Sequence, residues 1–109
     1  MAYDDGLAQR VRELLTDLTD FSEKKMFGGI CFLIQGNMAC GIISYDVIVR
    51  IGPENYEAAL KKPGAGIFDF TGRPMKGWVV VSAESHESDD HLLNWIQQAV
   101  AFTSSLPPK

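Results

Sequence analysis

The sequence predicts a two-layer α+β fold: an antiparallel meander sheet packed with an N-terminal and a C-terminal helix, in the order α-β-β-β-β-α-β-α. Three observations carry this reading. Amphipathic helical stretches lie near both ends of the chain, a glycine-punctuated apolar centre separates them, and the length of 109 residues suits one domain over 1–109.

The first helix is written in Leu7, Val11, Leu14, Leu15 and Leu18, whose offsets of 0, 4, 7, 8 and 11 share one helical face. Asp4 and Asp5 suit its N-cap and first turn, and Asp17 to Asp20 supply the turn that ends it. From Glu23 the pattern changes to short apolar runs. A strand over Glu23–Phe27 is broken by Gly28-Gly29, and strands Ile30–Gln35 and Met38–Ile43 flank Gly36-Asn37, read as a two-residue hairpin loop. After a turn at Ser44–Asp46, Val47–Ile51 is a β-branched strand. Successive hairpins make an antiparallel meander.

Gly52-Pro53 opens a short second helix, with proline at its first position, an apolar stripe at Tyr56, Ala59 and Leu60, and Pro63-Gly64 as its stop. Phe68–Phe70 reads as a brief strand, TGRPMKG as a loop and Trp78–Ser82 as an apolar strand. Ser88 or Asp89 caps the last helix, striped by Leu92, Ile96, Ala99, Val100 and Thr103 and widened by Trp95 and Phe102.

In the centre, Ala39, Gly41 and Ile43 alternate with Met38, Cys40 and Ile42, and neither set is polar. A sheet apolar on both sides needs helices on both, or a second subunit. The expected answer is a homodimer.

The net charge of −4 argues against direct nucleic-acid binding, because that affinity comes largely from neutralising phosphates. The charge is uneven: residues 23–76 carry seven basic and five acidic side chains, against two and five in residues 1–22 and one and four in residues 77–109. No signal-like or membrane-spanning apolar run is present, and two cysteines without export signals point to a reduced, cytoplasmic setting.

Few residues suggest chemistry. With Gly36-Asn37 as the loop, Leu33 pairs with Cys40 and Cys31 with Ile42, so both thiols face the same side as diagonal neighbours. That separation of ~7–8 Å exceeds the disulfide range, and two small core residues are expected. His86 and His91 stand five apart among Glu84, Glu87, Asp89 and Asp90, a poor spacing for helical metal ligands. No metal, cofactor or catalytic set is read, and the chain is taken as non-enzymatic. The grouping worth testing as a ligand or partner contact is Lys25, Arg50, Arg73, Lys76 and Trp78, with Lys24 beside it and Met26 and Met75 as its apolar flank. Arg50 stands in an apolar strand, where a guanidinium needs an anion: an internal carboxylate such as Asp69 or Glu54, or a ligand.

The stretches AYDDGLAQRVRELL, EKKMFGGICFLIQGNMACGI, VRIGPENYEAAL, DFTGRPMKGWVVV and AFTSSLPPK, in this order, resemble the N-terminal domain of the TfoX/Sxy family of bacterial competence regulators. The matching signature positions are Lys25, Gly28, Gly29, Arg50, Gly72, Arg73, Pro74, Lys76, Gly77 and Trp78. The resemblance implies a stand-alone two-layer α+β domain, a role in transcriptional regulation through a protein partner, and no catalytic residues to carry over. The expected function is a non-enzymatic regulatory interaction domain. The alternative is a small anionic-ligand-binding domain, possibly an enzyme, using Arg50, Arg73 and Lys76.

Overall fold

Helix α1 (Asp5–Leu18) begins as its capping residue dictates: the Asp4 carboxylate accepts a hydrogen bond from the Gly6 amide at 3.2 Å. It leads into β1 (Ser22–Met26), β2 (Gly29–Ile34), β3 (Asn37–Ile43) and β4 (Asp46–Arg50), then α2 (Tyr56–Leu60), β5 (Ala65–Ile67), β6 (Trp78–Val81) and α3 (Asp89–Ser104). The computed structural model describes residues 4–26, 29–62, 64–68, 76–82 and 88–107. The six strands form one antiparallel sheet in the order β1-β2-β3-β4-β6-β5. The expected α+β meander with terminal helices is what the chain adopts. The brief strand expected at Phe68–Phe70 lies earlier, at Ala65–Ile67, where it edges the sheet; Asp69 and Phe70 lie outside the described residues.

Two rows of side chains cross the helix side of the sheet. One runs Ile30–Ile42–Val47–Val81 and the other Phe32–Cys40–Val49–Val79, and every member is buried. Leu7, Val11 and Leu15 of α1, Ala59 of α2, and Leu92, Trp95, Ile96 and Ala99 of α3 join them in one core. Helix α3 lies across β2, β3 and β4, α1 packs on α3, and α2 packs on β5 and β6. Lys62, just past α2, sets its ammonium 5.0 Å above the Trp95 ring and ties α2 to α3. At the other edge, Arg12 of α1 forks onto Glu23 of β1, with Nε to Oε2 at 2.8 Å and Nη2 to Oε1 at 2.7 Å. That contact holds the Glu23 carboxyl below its usual pKa.

Two expectations need correction. Pro53 does not start the second helix; it lies in a turn over residues 53–55, and Asn55 caps the helix from Tyr56. The β2–β3 loop is Gln35-Gly36, not Gly36-Asn37, and both residues take the positive φ (52° and 85°) that a tight hairpin turn demands. Asn37 is drawn out of the turn because its buried side chain donates to the Pro107 carbonyl at 2.9 Å. The strand then absorbs one extra residue. Leu33 opposes Met38 and Phe32 opposes Cys40, so Ala39 bulges, and both Ala39 and Cys40 enter the core.

This register places the cysteines on opposite faces, not on the same one. Cys40 opposes Phe32 on the helix side, while Cys31 opposes Gly41 on the outer side. Both remain free thiols, and burial raises the pKa of each.

One buried polar atom is at odds with its surroundings. Thr103 is fully buried on the inner side of α3, and its hydroxyl is the single buried side-chain polar atom without a hydrogen-bond partner among the described residues. Replacing it with valine removes an unsatisfied group at nearly constant shape. Thr103→Val is expected to raise unfolding free energy by about 1 kcal/mol in urea denaturation; a loss of similar size would show that the hydroxyl has a partner.

Candidate functional site

The segment following β4 and the one preceding β6 meet at one end of the sheet. Arg50, the last residue of β4, lies directly across from Trp78, the first of β6. The amides of Ile51 and Gly52 both donate to the Gly77 carbonyl, at 2.9 and 3.2 Å, and clamp the two segments just beyond that pair. Gly52 has φ +88°, and a Cβ there would stand 2.4 Å from Cδ1 of Phe102. Glycine is required at 52 twice over, by its backbone and by the α3 ring laid against it.

The absent side chain lets Phe102 reach the end of β4. The Arg50 guanidinium carbon sits 5.2 Å from the Trp78 ring centroid and 5.6 Å from that of Phe102. A half-buried arginine is thereby flanked by two aromatic rings, an arrangement suited to a planar, weakly hydrated cation. Phe68 extends the aromatic cluster, its ring centroid 6.3 Å from that of Trp78. Among the described residues no carboxylate lies within 4.0 Å of the Arg50 guanidinium, Glu54 included.

Of the sequence-derived group, then, Arg50 and Trp78 come together, and Lys76 is exposed two residues before Trp78. Lys25 does not join them. It lies on β1, three strand spacings of about 4.8 Å from β4, in the row that meets β4 at Val47. Arg73 lies outside the described residues, as do Asp69, Met75, Gly28, Gly72, Pro74 and His86. His91 is exposed on α3, and among the described residues no group of three or more His, Cys, Asp and Glu side chains is placed to hold a metal. The sequence reading missed Phe102 and Gly52. Phe102 looked like a flank of the helix stripe, and nothing in its spacing reveals a ring turned toward β4.

A separate open cleft of about 410 Å³ lies between the α1–β1 turn (Thr19 to Ser22), the β2–β3 turn (Leu33 to Gly36) and Ser104. It shares no residue with the Arg50 corner.

The outer face of the sheet is the second feature of note. Across its centre runs the row Lys24–Cys31–Gly41–Ile48–Val80–Gly66. Cys31 and Ile48 are buried, while Leu33, Met38, Ile43 and Val80 are half-buried. The Met38 methyl and the Cys31 sulfur fill the space a Cβ at Gly41 would need, at 3.1 and 3.4 Å, so the strand residues cover one another. At the β5 edge a Cβ at Gly66 would meet nothing within 4 Å, and Ile67 is 51% exposed.

The fold is a one-sided α+β sandwich, with its described helices gathered on one face of a six-stranded antiparallel sheet in which β1 to β4 form a meander and β6 lies between β4 and β5. The model of the TfoX N-terminal domain family matches residues 13–103, and the chain belongs to that family. No curated protein and no solved structure matches the chain. Among the described residues no helix is long and apolar enough to cross a membrane.

The Gly52–Phe102 contact makes a direct test of this corner. Gly52→Ala is expected to lower stability by about 2 kcal/mol or more, through the strained backbone and the ring clash together. Trimming the ring in Gly52→Ala/Phe102→Ala should recover the steric share; equal losses in both backgrounds of a double-mutant cycle would show that the ring does not press on residue 52.

Proposed function

We propose that this chain is a non-enzymatic regulatory interaction domain that works as a homodimer through the outer face of its sheet. Membership of the TfoX N-terminal domain family supports a competence-related regulatory role at the coarse level. The observation that carries the finer reading is the outer apolar face itself. Leu33, Met38, Ile43 and Val80 present side chains there that no described helix covers. A second copy of the same face would bury them in an isologous pairing, which is how most soluble oligomers close.

The edges agree with face-to-face pairing in preference to edge-to-edge growth. Strand β1 ends the sheet with Lys24 and Lys25 exposed, and β5 ends it after three residues, both of which discourage strand addition. Regulation would then proceed through protein contacts in a bacterial cytoplasm, and the charge of −4 agrees with protein rather than nucleic acid as the partner.

Light scattering coupled to gel filtration tests this. The wild type should run at twice the chain mass of 12.0 kDa. Val80→Glu should run at the single-chain mass while keeping the wild-type far-UV spectrum. A wild type that stays monomeric at its highest soluble concentration contradicts the dimer.

A further inference from the structure

We propose that Arg50 is the centre of a carboxylate-binding site at the end of the β4–β6 pair, two residues along each strand from the outer-face residues Ile48 and Val80. Its guanidinium carbon lies over two rings, 5.2 Å from the centroid of Trp78 and 5.6 Å from that of Phe102. A guanidinium carries five N–H donors, and two neighbouring rings that confine the side chain without accepting its hydrogen bonds in full leave those donors for a carboxylate.

Those donors are unused within the described residues and still reachable. Among the described residues the single partnerless buried side-chain polar atom is Thr103 Oγ1, so the Arg50 nitrogens are not sealed from solvent. Arg12 shows the contrast: its fork is engaged with both oxygens of Glu23. Glu54, only four residues beyond Arg50, does not take the same role. A half-buried fork held still by two rings has already lost much of its side-chain freedom, which lowers the cost of capturing a ligand. Lys76, exposed two residues before Trp78, is a second positive charge near this end of the chain segment that enters β6.

The ligand class follows from the geometry. One planar fork matches the two oxygens of a carboxylate, in a bidentate pairing. A multiply charged phosphate would gain more from a cluster of cations than from one fork in a chain of net charge −4. The carboxylate is supplied either by a free dicarboxylic acid or by an acidic side chain of a peptide.

Titration of the ¹⁵N-labelled protein at low salt decides the matter, followed at the Arg50 Nε–Hε resonance in the wild type and at the Trp78 indole N–H and Gly77 amide resonances in the wild type and the variants. The two probes are succinate and a capped tetraglutamate peptide, each against sodium chloride of equal ionic strength. A saturable shift with succinate assigns the site to a free acid; a shift with the peptide alone assigns it to a protein-borne carboxylate. Arg50→Lys keeps the charge but loses the fork, and should weaken binding by about tenfold or more while leaving the backbone amide spectrum dispersed. Equal binding by Arg50→Lys and wild type would overturn the proposal, as would no saturable shift with either probe. A shift that appears only in Asp69→Asn would likewise overturn it, because Arg50 would then have an internal partner.

Discussion

The two rows of buried side chains on the helix side of the sheet, Ile30–Ile42–Val47–Val81 and Phe32–Cys40–Val49–Val79, are the contact on which the other features rest. Each such side chain contributes about 1.5–3 kcal/mol when taken fully out of water. Helices of 14 and 16 residues are marginal alone in water, and α1 and α3 become stable by laying their stripes on these rows. Because side chains alternate along a strand, a slip of one residue would turn a whole row outward. The Ala39 bulge therefore matters beyond its own turn. It keeps Cys40, Ile42, Val47 and Val49 inward while letting Gln35-Gly36 make the hairpin and Asn37 hold the chain near Pro107.

The Arg50 corner is a consequence of the same packing. Once α3 is fixed across β2, β3 and β4, its last turn reaches the end of β4, and Phe102 meets Gly52 and Arg50 there. The cross-strand pairing of β4 with β6 brings Trp78 to the same guanidinium. Two residues far apart in the chain, Arg50 and Trp78, are thus joined by register, and the Phe102 ring arrives from the helix layer. The outer face has no such covering layer among the described residues, and that is the basis on which a second subunit is proposed there.

The fold was legible in the sequence because its signals are local and periodic. The stripes of α1 and α3, the β-branched Val47–Ile51 run and the glycine-rich turns each report an element directly. Register was not legible. Gly36-Asn37 is as good a hairpin signal as Gln35-Gly36, and the tie that decides between them joins Asn37 to Pro107, seventy residues away. The thiol faces were misassigned for that reason alone. At the candidate site, Arg50 and Trp78 stood out as a cation and an aromatic in apolar strands, whereas Phe102 was masked by its membership of a helix stripe. Lys25 was grouped with them through charge, and charge carries no distance.

The β2–β3 register is the part of this account most open to direct measurement. Cross-strand nuclear Overhauser effects between backbone protons should link Phe32 with Cys40 and Cys31 with Gly41, with Ala39 left unpaired opposite them. Links joining Leu33 to Cys40 and Cys31 to Ile42 would put both thiols on one face, remove the bulge and contradict the packing on which the rest depends.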